Sequence, residues 1–337
     1  MTQNRILTWA ILIYGIFPSS AVSFPEMNRH GYPNCVSCHM SPSGGGALTE
    51  YGRGLSHELL STWGSEAEAN SVYGLVPFPK WLSIAGDTRI LQLIQDTPAT
   101  TSAPGALEGR VIRMQIDVEP AVVFGPVSAA ASVGLSQTTT SSSIGDELVS
   151  RRHWAMYQIN EAFTVRAGRF YPAYGILFPN HVTATRARLG WDQGMESYNL
   201  ETAWTHEEAS CFLTLIAGRP DKPSLKREVG AAFRPSYNLN DQSVVGLSFA
   251  HLRKTGDPSP ASRNAFGPWW TVGLPAHLYL LGEFDLNLGS LASGLVTSHK
   301  LGWEFYKGVH ASLLADYGKR DFSTQTTWYA SYGVGVD

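Results

Sequence analysis

Two cysteines and a histidine near the N-terminus form the most informative motif of this 337-residue sequence, Cys-Val-Ser-Cys-His at residues 35–39. The C-x-x-C-H spacing is that of covalent c-type haem attachment. Two thiols three positions apart add to the two vinyl groups of one haem, and the next histidine becomes the proximal ligand of the iron. The motif therefore predicts one covalently attached haem c, held by Cys35 and Cys38 and ligated by His39.

Other chemistries also use cysteine pairs. A zinc site needs four ligands, and the third cysteine, Cys211, stands alone in the sequence. A thioredoxin-like redox pair needs a βαβ context that the sequence lacks. A disulfide between Cys35 and Cys38 stays open, but it does not account for His39. Cys211 is predicted to be an inert residue on the buried face of a strand.

Candidates for the second axial ligand of the iron lie close to the motif. His30 and Met27 precede it by a short loop that can fold over the macrocycle. His57 falls on a predicted helix, whereas Met40 adjoins the proximal ligand and cannot easily reach the opposite face of the ring. We take His30 as the first candidate, with Met27 and His57 as alternatives.

Three regions follow one another along the chain. Residues 1–23 have the pattern of a secretory signal peptide, with an apolar stretch (Ile6–Phe17) that is shorter than the roughly 20 residues of a spanning helix. Residues 24–80 are predicted to form the monohaem segment. It contains one helix, whose apolar residues recur every four positions from Tyr51 to Trp63.

Residues 81–337 alternate between apolar and polar side chains with a period of two, which is typical of strands. In Val111–Pro120, apolar residues occupy one face, and Arg113, Asp117 and Glu119 occupy the other. Full charges suit a wet lumen better than the core of a soluble β-sandwich, which is the alternative architecture. We therefore predict an all-β fold, a transmembrane antiparallel β-barrel of about 14 strands (12–16) that follows a small helical haem segment.

Tryptophans near the predicted strand ends fit the aromatic girdles of such a barrel, and an even strand number places both barrel termini in the periplasm. The girdle residues are predicted to include Trp81, Trp154, Trp269, Trp303 and Trp328. The haem segment would then lie at the periplasmic mouth or inside the lumen.

The longest connection, residues 172–194, contains His181, Arg186 and Arg188. It is predicted either to fold inward as a constriction lined by arginines or to be an ordinary surface loop.

Composition excludes several functions. Only 16% of residues are charged, against roughly 25% in an ordinary soluble domain. The 25 basic and 28 acidic residues leave no basic surplus for nucleic-acid binding. His, Asp and Ser show no hydrolytic or group-transfer arrangement, so a haem-dependent oxidoreductase is the one enzyme class left open.

The order of these parts resembles the fused cytochrome–porins of bacterial outer membranes. The resemblance rests on the signal peptide, the C-x-x-C-H motif, the Gly/Pro-rich loop leading to Tyr51-Gly52-Arg53, and the barrel pattern. It implies an electron conduit in outer-membrane lipid, between an extracellular redox substrate and a periplasmic cytochrome or other electron carrier. Some members oxidise ferrous iron, which makes ferrous iron the substrate that the resemblance implies.

The sequence departs from that family in two respects. Its barrel region is short, and it ends on Gly335-Val336-Asp337 instead of an aromatic residue, which indicates either a truncated barrel or another insertion signal. An alternative function is an outer-membrane solute porin whose haem-bearing segment acts as a plug or sensor. A non-membrane periplasmic cytochrome with a β-sandwich is the third hypothesis.

Overall fold

The computed structural model describes residues 25–62, 64–97, 105–135, 148–178, 183–191, 194–220, 228–254, 261–325 and 327–336. The predicted signal peptide, Trp63 and His181 lie outside the described residues. No helix among them is long and apolar enough to cross a membrane.

One antiparallel sheet contains the sixteen strands that the described residues form. They are β1 (Leu82–Thr97), β2 (Ala106–Phe124), β3 (Val127–Ala131), β4 (Val133–Leu135), β5 (Leu148–Val149), β6 (His153–Gln158), β7 (Phe163–Phe170), β8 (Ser197–Thr205), β9 (Ala209–Gly218), β10 (Glu228–Asn240), β11 (Ser243–Lys254), β12 (Ser262–Leu274), β13 (Leu278–Gly289), β14 (Ser293–Tyr306), β15 (Val309–Lys319) and β16 (Trp328–Val336).

Two of these strands are interrupted. β3 and β4 both pair with β2, and β5 and β6 continue one another on the far side. At the break, the backbone N–H of Ser132 donates to the carbonyl of Arg152, and the Arg152 N–H donates to Ser132 Oγ at 2.8 Å. The sixteen segments of the described chain therefore follow fourteen strand paths, which confirms the predicted strand number.

The two ends of the barrel differ in the length of their connections. Short turns such as Gly125-Pro126 and Lys307-Gly308 lie at one end, and the long connections lie at the other. β1 begins at Leu82, opposite Val122, and β16 ends at Val336, opposite Ala311, so both lie at the short-turn end. Within the described ladders, β1 pairs only with β2 and β16 only with β15.

The strands turn polar side chains inward and apolar side chains outward. On β2, Asp117 and Glu119 are buried, whereas Val118 between them is 52% exposed. On β14, Glu304 is buried and its neighbours Trp303 and Phe305 are exposed. An apolar exterior around a polar interior is the pattern of a transmembrane barrel and not of a sandwich.

Residues 25–80, the N-terminal segment, begin inside the barrel at its short-turn end. Its helices are short: 3-10 helices at Pro25–His30, Cys35–Ser37, Glu66–Ala69 and Ser71–Gly74, and one α-helix, α1 (Glu50–Leu59). Thr49 caps α1, as its hydroxyl accepts a hydrogen bond from the Gly52 N–H at 3.0 Å. The predicted helix was too long, because α1 ends at Leu59, one turn before Trp63.

Ion pairs attach the first 3-10 helix to the barrel wall. Arg29 lies 2.6 Å from Glu304, and Lys300 lies 3.0 Å from Glu26. The side chain of Gln242 donates to the Arg29 carbonyl at 2.8 Å. Removing one partner of such a buried pair leaves an uncompensated charge, which costs about 3–5 kcal/mol. These pairs therefore hold the segment in the lumen.

The turn between β14 and β15 contacts the end of α1. A Cβ atom at Gly308, whose φ is +71°, would overlap the carbonyl oxygen of Leu60. The Thr62 hydroxyl donates to the Lys307 carbonyl at 3.0 Å. The N-terminal segment is thus fixed against the turns as well as the walls of the barrel.

The outward apolar face predicts a depth-dependent response to charge. We expect Leu213→Arg, in the middle of β9, to lower the free energy of unfolding by about 2–4 kcal/mol, and Leu239→Arg, at the end of β10, by about 0–1 kcal/mol. Both side chains are exposed, so a difference in burial within the protein cannot account for a difference between the two variants. Denaturant unfolding in lipid vesicles measures both, and equal losses would contradict the assigned face.

Candidate functional site

The Cys-Val-Ser-Cys-His motif folds as one tight turn. Cys35–Ser37 form a 3-10 helix, and the N–H groups of Cys38 and His39 donate to the Cys35 carbonyl at 3.2 and 3.0 Å. His39 then pairs with Leu48 in a short antiparallel bridge. The side chains of Cys35, Cys38 and His39 all line one cavity inside the barrel.

Helix α1 packs directly on the motif. The Thr49 N–H donates to the Cys38 carbonyl at 2.9 Å, which places the start of the helix against the second cysteine. A Cβ atom at Gly52 would overlap the backbone of Cys38, so the approach requires glycine. Leu55, one turn further along, is buried and lines the same cavity.

This central cavity has an empty volume of about 1380 Å³, including space open to solvent. The N-terminal segment forms one part of its wall, and strands β2, β6, β7, β10, β11 and β12 form another. Its aromatic walls include Trp154, Phe170, Tyr171, Tyr174 and Trp269. Trp154 and Trp269 were predicted as girdle residues, but they are buried, because they stand on the lumen face of β6 and β12.

His39 is buried, and its Nδ1 has no hydrogen-bond partner among the described residues. Burial, followed by the charge of Arg152, lowers the pKa of His39 to about 4. Because the folded-state pKa is depressed, the ring is neutral at ordinary pH, and a neutral imidazole is the form that binds a metal ion. The orphaned nitrogen marks His39 as a candidate ligand.

The donor set on the cavity wall fits a covalently held haem. Cys35 and Cys38 are free thiols, both line the cavity, and an imidazole with an unpartnered nitrogen stands beside them. Thioether attachment plus one histidine needs these three groups. The described residues contain no group of three or more His, Cys, Asp or Glu side chains that could hold a bare metal ion.

Charged residues join the loop after the motif to the barrel wall. Arg166, which is almost fully buried, donates to Glu201 and to the Ser41 hydroxyl, each at 2.6 Å. Glu119 accepts from the Ala47 N–H at 2.8 Å and pairs with Arg152 at 2.8 Å. The position of the motif in the lumen is therefore set by partners on β2, β7 and β8.

The candidates for a second axial ligand lie in different places. Met27 lines the central cavity, whereas His30 and His57 do not. His30 Nε2 lies 3.4 Å from a Glu304 oxygen. Met40 packs against the buried cluster that contains Trp154. The second ligand stays a prediction, and the structure brings Met27 to the cavity wall with Cys35, Cys38 and His39.

The long connection after β7 folds inward, as one of the two predicted alternatives has it. We call its described residues, 172–178 and 183–191, the inward segment; they include a four-residue helix, α2 (Ala184–Ala187). The Tyr174 hydroxyl donates to Asp285 at 2.7 Å, and the Ile176 N–H donates to Glu283 at 3.0 Å. Residues 172–177 line the central cavity. The inward segment therefore occupies part of the lumen and forms one wall of the cavity.

The two predicted arginines of this segment lie against aromatic rings. The Arg186 guanidinium is 4.6 Å from the centre of the Tyr171 ring, and that of Arg188 is 4.4 Å from the Tyr329 ring. Neither arginine lines the central cavity.

The sequence interpretation missed Arg234, Trp154 and Trp269 as cavity residues. All three stand on strands: buried positions alternate with more exposed ones around Trp154 and Trp269, and on β10 Arg234 follows the exposed Phe233. The position of each residue in the two-residue repeat of its strand was the available signal. That repeat does not give the sheet register, and the register decides which lumen residues surround the motif.

Glycine at position 52 gives a test of the contact between α1 and the motif. We expect Gly52→Ala to force the helix away from Cys38 and to increase the alkylation rate of the Cys38 thiol in the haem-free chain. Gly54→Ala is the matched control, because its Cβ meets nothing within 4 Å. In that half-buried helix position alanine is favoured over glycine by about 1 kcal/mol. Equal alkylation rates in the two variants would contradict the contact.

Comparison with known proteins identifies the fold. The chain resembles a Salmonella typhi OmpF solved with daunomycin, with a TM-score of 0.54, 11% identity, and coverage of 76% of this chain and 85% of that one. It also aligns with the outer-membrane channel DcaP of Acinetobacter baumannii (TM-score 0.45, 7% identity, 77% and 97% coverage). A third is an anion-selective porin from Comamonas acidovorans (TM-score 0.42, 8% identity, 75% and 93% coverage). No family model and no curated protein matches the chain. The likeness to the OmpF structure, together with the polar interior and apolar exterior of the strands, shows that the chain has the fold of a porin-like outer-membrane β-barrel.

Proposed function

We propose that this chain is an outer-membrane electron conduit. Electrons would pass through one haem c, held by Cys35 and Cys38 and ligated by His39, between an extracellular redox substrate and a periplasmic cytochrome or other carrier. The observation that carries the proposal is that these three residues line one cavity inside the barrel. Ferrous iron as the substrate rests on the family resemblance of the sequence alone.

The residues around the cavity have defined roles on this proposal. A bound haem supplies one-electron redox chemistry at its iron. His39 offers a neutral nitrogen, and Met27 is the candidate ligand that also reaches the cavity wall. The buried rings of Trp154, Phe170 and Trp269 would place apolar surface against the macrocycle, and burial is one way in which a protein sets a redox potential.

The short-turn end provides access from the periplasmic side. Val36, inside the motif, is 41% exposed. Tyr32 and Tyr51, joined through their hydroxyls at 2.8 Å, form an exposed pair beside it. A carrier that docks at this end would therefore approach the cysteine motif closely. On the opposite side, the inward segment separates the cavity from the long connections.

A solute porin is the second candidate function, and the fold likeness to OmpF favours it over a conduit. In that function the N-terminal segment is a plug, held by the Arg29–Glu304 and Lys300–Glu26 pairs. The two functions differ in what a chain without haem can still do. A porin without haem still lets solutes through the barrel, whereas a conduit without haem no longer transfers electrons.

Covalent attachment is the first consequence to test. In cells with haem-attachment machinery, we expect haem staining of the denatured chain and a c-type visible spectrum in the outer-membrane fraction. Cys35→Ala combined with Cys38→Ala should abolish both signals. Cys211→Ala is the control and should keep them, because Cys211 lies outside the cavity on β9. An unstained wild-type chain would remove the conduit proposal.

Electron transfer across a membrane separates the two functions. Liposomes that carry the chain are loaded with reduced cytochrome c, and ferricyanide is added outside. We expect the trapped cytochrome to be oxidised in liposomes that carry the wild-type chain. With the Cys35→Ala/Cys38→Ala chain, the oxidation rate should be at least about tenfold slower and equal to that of empty liposomes. Equal oxidation by both chains would mean that ferricyanide enters through an open pore, which would support the porin and contradict the conduit.

A further inference from the structure

Arg234 is a cavity residue that has no carboxylate partner among the described residues. It stands on β10, and its Nε donates to the Gly175 carbonyl of the inward segment at 2.8 Å. Its guanidinium lies 3.9 Å from the centre of the Trp269 ring. Within the described part of the chain, its two terminal nitrogens make no hydrogen bond or ion pair with an acidic side chain.

The acidic side chains nearest to Arg234 are engaged elsewhere. Glu201 is held by Arg166 at 2.6 Å and by the Thr214 hydroxyl at 2.9 Å. Glu283 accepts from the N–H of Ile176 at 3.0 Å. The other described arginines of the cavity wall have carboxylate partners: Arg152 pairs with Glu119, and Arg166 pairs with Glu201. Arg234 is thus the arginine of the described cavity wall that forms no ion pair, although Glu283 and Glu201 lie near enough to act on its charge from a distance.

A guanidinium removed from bulk water is costly unless an anion meets it. Its planar fork matches a carboxylate, which it binds through two parallel hydrogen bonds. Stacking on Trp269 and the hydrogen bond to Gly175 fix the plane of the fork before any ligand arrives. The cavity that Arg234 lines also has Phe170 and Tyr174 on its wall, and aromatic rings suit a flat apolar body.

We propose that Arg234 binds the carboxylate of a flat aromatic or macrocyclic ligand in the central cavity. Two sources carry this chemistry. One is a carboxylate side chain of the attached haem, in which case the inference rests on the proposed function. The other is a free aromatic carboxylate that enters the barrel.

The test uses the full-length Cys35→Ser/Cys38→Ser chain, so that it needs neither iron nor covalent attachment. Mesoporphyrin IX and its uncharged dimethyl ester are titrated against the chain in detergent by fluorescence. We expect the acid to bind at least about tenfold more tightly than the ester. Arg234→Gln should remove this preference, and Arg234→Lys should restore part of it, since lysine keeps the charge but not the fork.

Arg263→Gln is the matched control. Arg263 also stands on a strand, but it pairs with Glu228 through two hydrogen bonds and does not line the cavity. It should leave the preference for the acid unchanged. If the Arg234→Gln chain kept the preference for the acid, or bound acid and ester more weakly by the same factor, the role of Arg234 would be overturned.

Benzoate distinguishes the two sources. If a haem carboxylate occupies Arg234, benzoate should bind the haem-free chain and not the haem-loaded chain, as measured by calorimetry. If the natural occupant is a free anion, benzoate should bind both, and Arg234→Gln should abolish binding to both. Absence of covalent haem in cells would refute the conduit but leave the porphyrin titration unaffected, so the two failures can be told apart.

Discussion

A charge that is buried in a barrel lumen must meet a partner, and this requirement accounts for what fills the present barrel. The two-residue period of the strands sends Glu283, Asp285 and Glu304 inward. Once the lumen is filled, water no longer solvates these groups, and an unpaired one would be strongly destabilising. The N-terminal segment brings Arg29 to Glu304, and the inward segment brings the Tyr174 hydroxyl to Asp285. The N-terminal segment therefore meets the wall through opposite charges, and the inward segment meets it through hydrogen bonds to its carboxylates.

The same complementarity shapes the central cavity. The N-terminal segment reaches it from the short-turn end and the inward segment from the long-connection end, and each is attached to a different set of strands. Between them remains a space whose walls include the aromatic residues Trp154, Phe170, Tyr171, Tyr174 and Trp269. Because Arg166 and Arg152 on its wall are already paired with Glu201 and Glu119, they offer little charge to a ligand. Arg234 departs from this rule, which is why it stands out chemically.

How much of this the sequence predicts depends on whether a feature is local. Strand alternation is local, and it located the fourteen strand paths and their two faces. The cysteine motif and the Thr49 cap are local as well. The aromatic wall of the cavity is not a local feature. Trp154 and Trp269 were assigned to the girdles because they lie near strand ends, although both side chains point into the lumen. The contact of Arg234 with residues of the inward segment depends on the register of the whole sheet. No pattern within one strand encodes that register.

The small size of the N-terminal segment explains why it is joined to a barrel. Among its described residues, the buried apolar side chains are Ala47 and Leu55, too few for a core that could shelter a macrocycle. Trp154, Phe170 and Trp269 on the strands supply the missing wall, as a second layer of core would in a free-standing cytochrome. On the proposed function, the redox site is then a property of the fused chain. Its apolar surroundings come from the barrel and its ligand from the segment, so separating the two would expose more of the haem to water and change its potential.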